Sequence, residues 1–170
     1  VAAVERGHRA ARAYAATVVG RTNVEWRAAA ARTTDTPLMD FVAETMRRAS
    51  GADLASVAAF SLEVKIPSGP VTVAQLAQLY PYDNTLRALR ITGAQLKAYL
   101  EQSAKYFKVT SAGGAARVAS DPSIPGYNYE MVTGAAYTID LSRAIGDRIV
   151  GLSVRGRPVQ DADALTIALS

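Results

Sequence analysis

The sequence predicts an α+β domain, a mixed sheet with helices packed against it. Three observations carry that expectation. Helical stretches with clear start signals fill much of the first two-thirds of the chain. Short strand-like runs stand both before and after these helices, which favours mixed or antiparallel pairing. With 49% apolar content, the 170 residues can bury the core of one ordinary domain. No apolar run reaches the roughly 18 residues needed to cross a membrane, so no membrane span is expected. The absence of cysteine excludes disulfides and thiol chemistry.

The elements follow in order. Val4, Ala11, Tyr14, Ala15 and Val18 recur at helical spacing, and Gly20 is the expected stop. Arg6, Arg9 and Arg12 form one polar face of this helix. Residues 1–34 carry six arginines against Glu5 and Glu25, which accounts for the whole net charge of +4. A nucleic-acid surface needs more basic residues interleaved with aromatics, and only Tyr14 and Trp26 lie near. The stripe therefore reads as a solvated face, no nucleic-acid partner is expected, and Trp26 is the expected apolar anchor. Thr36-Pro37 predicts an N-cap and first helical position, with Leu38, Phe41, Val42, Thr45, Met46 and Ala49 on one face and Gly51 as the stop. Thr72 to Gln75 and Thr92 to Gln95 are capping boxes that open two further helices. The second of these directs Leu96, Leu100, Ala104 and Phe107 at the core. Residues 110–126, rich in Ser, Gly, Ala and Pro without a period, predict a mobile loop. Strands are expected at 135–141, 148–154 and 164–169, joined through Gly146-Asp147 and Gly156-Arg157-Pro158.

Leu79 to Leu86 (Leu-Tyr-Pro-Tyr-Asp-Asn-Thr-Leu) is the most informative stretch. Pro81 pushes Tyr80 towards an extended conformation, and Asp83-Asn84 favours a tight turn. Tyr82 is thereby presented on a short, stiff connection. Its ring suits stacking on a flat ligand or packing over the turn, and Asn84 beside it offers donors and an acceptor.

Catalytic signatures are missing. His8 is the single histidine and lies in the basic helix, whereas a zinc or di-metal hydrolase site needs several His and carboxylate ligands. No phosphate loop, dinucleotide fingerprint or Gly-x-Ser-x-Gly occurs. Asp140 and Asp147 read as carboxylates capping turns near strand ends; a general acid and base pair is the alternative, and nothing in the sequence singles one out. On these residues the chain alone is not expected to be an enzyme.

Gly69 to Leu76 (Gly-Pro-Val-Thr-Val-Ala-Gln-Leu), Tyr80 to Leu86 (Tyr-Pro-Tyr-Asp-Asn-Thr-Leu), Ile91 to Glu101 (Ile-Thr-Gly-Ala-Gln-Leu-Lys-Ala-Tyr-Leu-Glu) and Asp140 to Ile149 (Asp-Leu-Ser-Arg-Ala-Ile-Gly-Asp-Arg-Ile) stand in an order and spacing that resemble the C-terminal domain of 5'-nucleotidases. Ala52-Asp53-Leu54 matches the segment before the family's first motif. Tyr in place of Phe at position 82, and Pro125 to Tyr129 (Pro-Gly-Tyr-Asn-Tyr), resemble the branch containing 2',3'-cyclic-nucleotide 2'-phosphodiesterases. The resemblance covers residues 36–170, and residues 1–35 resemble the helical linker between the family's two domains.

The resemblance implies a division of labour. A metallophosphoesterase domain of the same polypeptide, expected before this chain, would hold two divalent metal ions and perform hydrolysis. This chain would hold no cofactor and would grip the nucleotide or nucleoside. Tyr82 matches the first base-stacking aromatic, Asn84 the polar residue beside it, and Gly134 a glycine whose backbone borders the pocket. A periplasmic, cell-surface or secreted location is implied, although no signal peptide is expected in this chain. The family's Asn-Gly-Gly-Gly-Ile-Arg motif aligns with Ala58-Ala-Phe-Ser-Leu-Glu63, which has neither the Asn nor the Arg. The glycine-rich loop with the second aromatic is expected beyond Ser170. The alternative expectation is a non-catalytic binding or scaffold module that retains the fold.

Overall fold

The computed structural model describes residues 2–112 and 115–170. The chain runs α1 (Ala2–Ala15), β1 (Val18–Thr22), β2 (Trp26–Arg27), α2 (Pro37–Ser50), β3 (Leu54–Ala58), β4 (Lys65–Ile66) and β5 (Gly69–Thr72). Next come α3 (Val73–Leu79), β6 (Arg87–Thr92), α4 (Gly93–Ala104), β7 (Phe107–Ala112) and β8 (Ala115–Ser120). A short 3-10 turn (Gly126–Asn128) leads to β9 (Glu130–Thr133), β10 (Ala135–Ile139), β11 (Ile149–Val154), β12 (Arg157–Pro158) and β13 (Ala164–Leu169). The expected α+β class with a mixed sheet is what the chain adopts. Two compact units form: Val1–Leu38 with Phe60–Asp83, and Met39–Ala59 with Asn84–Ser170.

In the first unit β1 pairs antiparallel with β5, and β2 with β4, where Trp26 stands opposite Ile66. Ala28, Leu38, Val64, Ile66 and Val71 form the core, and Trp26, Leu76 and Leu79 pack on it. Trp26 is thus the apolar anchor its sequence position predicts. The first helix ends at Ala15, short of the expected Val18. Thr17-Val18-Val19 is β-branched, and pairing of β1 with β5 wins over continuation of the helix. Gly20 consequently lies inside β1 and stops nothing. The expected box at α3 is present: the Thr72 hydroxyl accepts from the Gln75 N–H, and Gln75 Oε1 accepts from the Thr72 N–H at 2.7 Å.

Pro37 opens α2 as expected, but Thr36 makes no cap, because its hydroxyl is buried without a hydrogen-bond partner. The buried face is also rotated from the expected one. Leu38, Met39 and Ala43 are buried, whereas Phe41, Thr45 and Ala49 are exposed.

The second unit is built on a four-stranded sheet in the order β6-β13-β3-β9. The last strand, β13, runs parallel to β3 and antiparallel to β6, from Ala164 opposite Thr92 to Leu169 opposite Arg87. Every residue of β3 is buried, as suits an inner strand covered on both faces. On this sheet lies α4, opened by the expected box at Thr92 and Gln95. Its Leu96, Leu100 and Ala104 pack with Leu54, Val132, Ile149, Val154 and Ile167. Phe107 does not continue that face. It opens β7 and joins a separate aromatic cluster with Tyr106 and Tyr129.

The expected mobile loop at 110–126 is largely ordered. Residues 107–112 and 115–120 pair as an antiparallel hairpin, with Val109 opposite Val118, while Gly113 and Gly114 lie outside the described residues. The hairpin base is closed by the Asp121 N–H donating to the Tyr106 carbonyl at 2.7 Å and by a Lys108–Asp121 ion pair of 2.7 Å.

Candidate ligand-binding site

The Tyr-Pro-Tyr segment emerges from the end of α3. The Tyr80 N–H closes the helix on the Leu76 carbonyl at 3.0 Å. Tyr80 itself has φ −133° and ψ 84°, outside the α region that a following proline disfavours but short of the fully extended conformation expected. The chain bends at Tyr82, and the expected tight turn at Asp83-Asn84 is absent: residues 83–86 run without a turn into β6. The fixed φ of Pro81 makes the change of direction one residue earlier.

Tyr82 is 58% exposed, so its ring is presented and not enclosed. Phe60, just past the end of β3 and grouped with the first unit, holds it. The Phe60 ring lies 5.3 Å from that of Tyr82 at 74°, and 5.4 Å from that of Tyr80 at 80°. Both contacts are edge-to-face, the favoured geometry of paired quadrupoles. The Tyr80 hydroxyl is buried without a hydrogen-bond partner. Sequence reasoning missed Phe60. The available signal was an aromatic residue two positions after a mostly apolar strand, at the point where the chain leaves the sheet.

Asn84 is exposed and groups with the second unit, on the other side of the division between Asp83 and Asn84. Gly134 lies in that second unit, at the turn from β9 to β10, with φ +90°. A Cβ there would overlap the Asp53 carbonyl oxygen and stand 3.2 Å from Leu54 Cδ2. Gly134 therefore has a structural task beside any ligand: its bare Cα lets the β9–β10 turn sit on the start of β3.

Asp53 organises this region. Its Oδ2 accepts from the Thr166 N–H and hydroxyl, both at 2.9 Å, and its Oδ1 pairs with Arg155. Burial works to raise its pKa, but the Thr166 hydrogen bonds and the Arg155 charge outweigh it and hold the carboxyl below the ordinary range. Asp53, Arg155, Arg157, Gln160 and Asp163 line a polar cavity of about 250 Å³.

A second polar cluster lies between α4 and the sheet. The Ser56 hydroxyl donates to Glu130 Oε2 at 2.7 Å and stands 2.9 Å from the Tyr99 hydroxyl. Burial pushes Tyr99 up to about 12 and raises Glu130, although hydrogen bonds from Ser56 and Tyr99 favour the charged form of Glu130. Deeper still, Glu101 accepts from the Arg148 and Ile149 N–H groups at 2.9 and 2.7 Å. Arg148 Nη1 donates to the Ala104 and Phe107 carbonyls, closing the C-terminal end of α4. Asp140 accepts from the Ser142 N–H and hydroxyl, so it serves its turn as the sequence predicts. These groups are spent on the fold.

Among the described residues, no three or more His, Cys, Asp or Glu side chains are grouped to hold a metal ion. His8 is exposed on α1. The donor set for two divalent ions is thus not in these residues, and no step through a metal is derived for this chain. No helix is long and apolar enough to cross a membrane among those residues.

Comparison with known proteins agrees with this architecture. A trifunctional nucleotide phosphoesterase protein of Bacillus subtilis is 27% identical over 60% of this chain, and a 2',3'-cyclic-nucleotide 2'-phosphodiesterase/3'-nucleotidase of Yersinia enterocolitica is 31% identical over 56%. The matches span 8% and 17% of those proteins' own lengths. The crystal structure of a 5'-nucleotidase precursor from Thermus thermophilus superposes with a TM-score of 0.75 at 22% identity, covering 98% of this chain and 32% of that one. The family model described as "5'-nucleotidase, C-terminal domain" matches residues 18–170, and the chain belongs to that family.

Proposed function

We propose that this chain is the substrate-recognition domain of a longer, metal-dependent nucleotide phosphoesterase acting on 5'-nucleotides or 2',3'-cyclic nucleotides. In this reading residues 36–170 are the recognition domain and residues 1–35 the linker to a metallophosphoesterase domain that holds two divalent ions, the strands β1 and β2 of that linker pairing with β5 and β4. The enzyme works in the periplasm, at the cell surface or outside the cell. The observation that carries the reading is the ring of Tyr82, exposed yet held edge-on by Phe60 in a family whose named relatives act on nucleotides. Tyr82 stacks on the base. Asn84 offers its amide to the nucleoside, and Gly134 borders bound ligand through its backbone. The chain's own contribution is binding and orientation, and bond cleavage belongs to the other domain.

The test is a chemical-shift titration of the chain with adenosine. One base–aromatic stack is worth about 1–3 kcal/mol, so Tyr82→Ala should raise Kd by roughly 5- to 150-fold. An unchanged Kd overturns the stacking role. A non-catalytic scaffold is the second reading, favoured by the segment Ala58–Glu63, where an exposed Glu63 stands in place of a cation. It predicts no adenosine-dependent shifts at all.

A further inference from the structure

We infer that Phe60 is a positioning residue for Tyr82, fixing the ring on which the base stacks. The inference rests on the recognition reading above and names a determinant of affinity within it.

An exposed tyrosine on a loop can occupy several staggered χ1 rotamers, and binding to one of them carries the entropic cost of selecting it. Here the selection is made before any ligand arrives. Tyr80 is held by its own N–H at the end of α3, and its ring meets Phe60 at 5.4 Å. Phe60 in turn meets Tyr82 at 5.3 Å and 74°. The three rings therefore form a brace running from a helix end to an exposed ring. A contact of this geometry occupies at most one face of Tyr82, and the 58% exposure of the residue leaves ring surface for a flat ligand. Preorganisation of this kind strengthens binding without adding a contact to the ligand.

The test compares Phe60→Leu, which keeps apolar bulk but loses the ring, with Phe60→Tyr, which keeps the ring. The 170-residue chain, with ring-labelled tyrosine, is titrated with adenosine by NMR, alongside Tyr82→Ala. Phe60→Leu should weaken adenosine binding about two- to tenfold, the range set by one edge-to-face pair. In the ligand-free protein it should also move the Tyr82 ring resonances towards values for an unrestrained side chain. Phe60→Tyr should restore both. If Tyr82→Ala weakens binding while Phe60→Leu leaves Kd unchanged, the positioning role falls and the stacking role stands. Equal weakening by Leu and Tyr at position 60 also overturns it, since bulk alone would then matter. If the unsubstituted chain shows no adenosine-dependent shift, the recognition reading fails and this inference fails with it.

Discussion

Replacing Gly134 by alanine separates a structural requirement from a ligand-facing one. At φ +90° an alanine suffers the left-handed penalty of about 1–2 kcal/mol. Its Cβ would also overlap the Asp53 carbonyl and crowd Leu54 Cδ2 at 3.2 Å. The carbonyl is backbone at the entrance to β3, so relief requires a shift of a central strand, an overpacking cost of about 1–3 kcal/mol. The expected total is about 2–5 kcal/mol, a large share of the roughly 5–15 kcal/mol that holds a domain together. A melting temperature should fall by about 4–20 °C, at roughly 2–4 °C per kcal/mol for a chain of this size. Gly156 supplies the control: its φ is +74°, and a Cβ there meets nothing within 4 Å. Gly156→Ala should therefore cost the backbone term alone. Urea unfolding without ligand, followed by circular dichroism, measures both. A Gly134→Ala cost no greater than that of Gly156→Ala would refute the role assigned to the Asp53 contact.

Two further outcomes follow from the polar groups of the second unit. Glu101→Gln leaves one acceptor for two buried N–H donors, Arg148 and Ile149, and should destabilise by about 2–4 kcal/mol with faster hydrogen exchange at both amides; unchanged exchange at residues 148 and 149 would contradict the clamp. Asp53 has a folded-state pKa below the ordinary 3.8, so the unfolded chain binds its proton more readily as the pH falls. The stability it contributes is present above that value and lost below it, and Asp53→Asn should flatten the decline in urea midpoint between pH 5 and pH 3; a slope equal to that of the parent chain would contradict this.

Much of the fold is legible because local chemistry and tertiary structure agree. Thr72-Gln75 and Thr92-Gln95 announce two helices, and both boxes form with both reciprocal hydrogen bonds. The hairpin over residues 107–120 is not legible, because Ala, Ser and Gly carry weak strand preference. Its base is closed by Lys108–Asp121 and Tyr106–Asp121 contacts, which local strand preference does not register. The rotation of α2 has a similar origin. A hydrophobic face read at helical spacing allows Phe41 or Met39 inside, and only the surrounding packing chooses Met39. At the site, Tyr82 could be singled out from Pro81 and its neighbours. Phe60 could not, because the ring pair joins positions 22 residues apart and nothing local marks the partner.

The segments that mark the family do two different kinds of physical work, and the distinction narrows where function can reside. Asp53 ties the start of β3 to β13 through Thr166, and Gly134 lets a turn pack on that same strand. Glu101 and Arg148 lock α4 to β11, while Asp140 shapes the approach to that strand. Each of these residues is accounted for by a hydrogen bond, an ion pair or a close backbone approach. Their presence in a chain specifies the platform and leaves substrate choice open. Tyr82 is different: the residue is 58% exposed, and its described ring contact, with Phe60, orients the ring without enclosing it. An aromatic side chain left so exposed loses the burial that would otherwise justify its size. The proposed recognition is therefore to be tested first at the Phe60–Tyr82 brace, and substitutions of Asp53, Glu101, Asp140 and Arg148 should report on folding first.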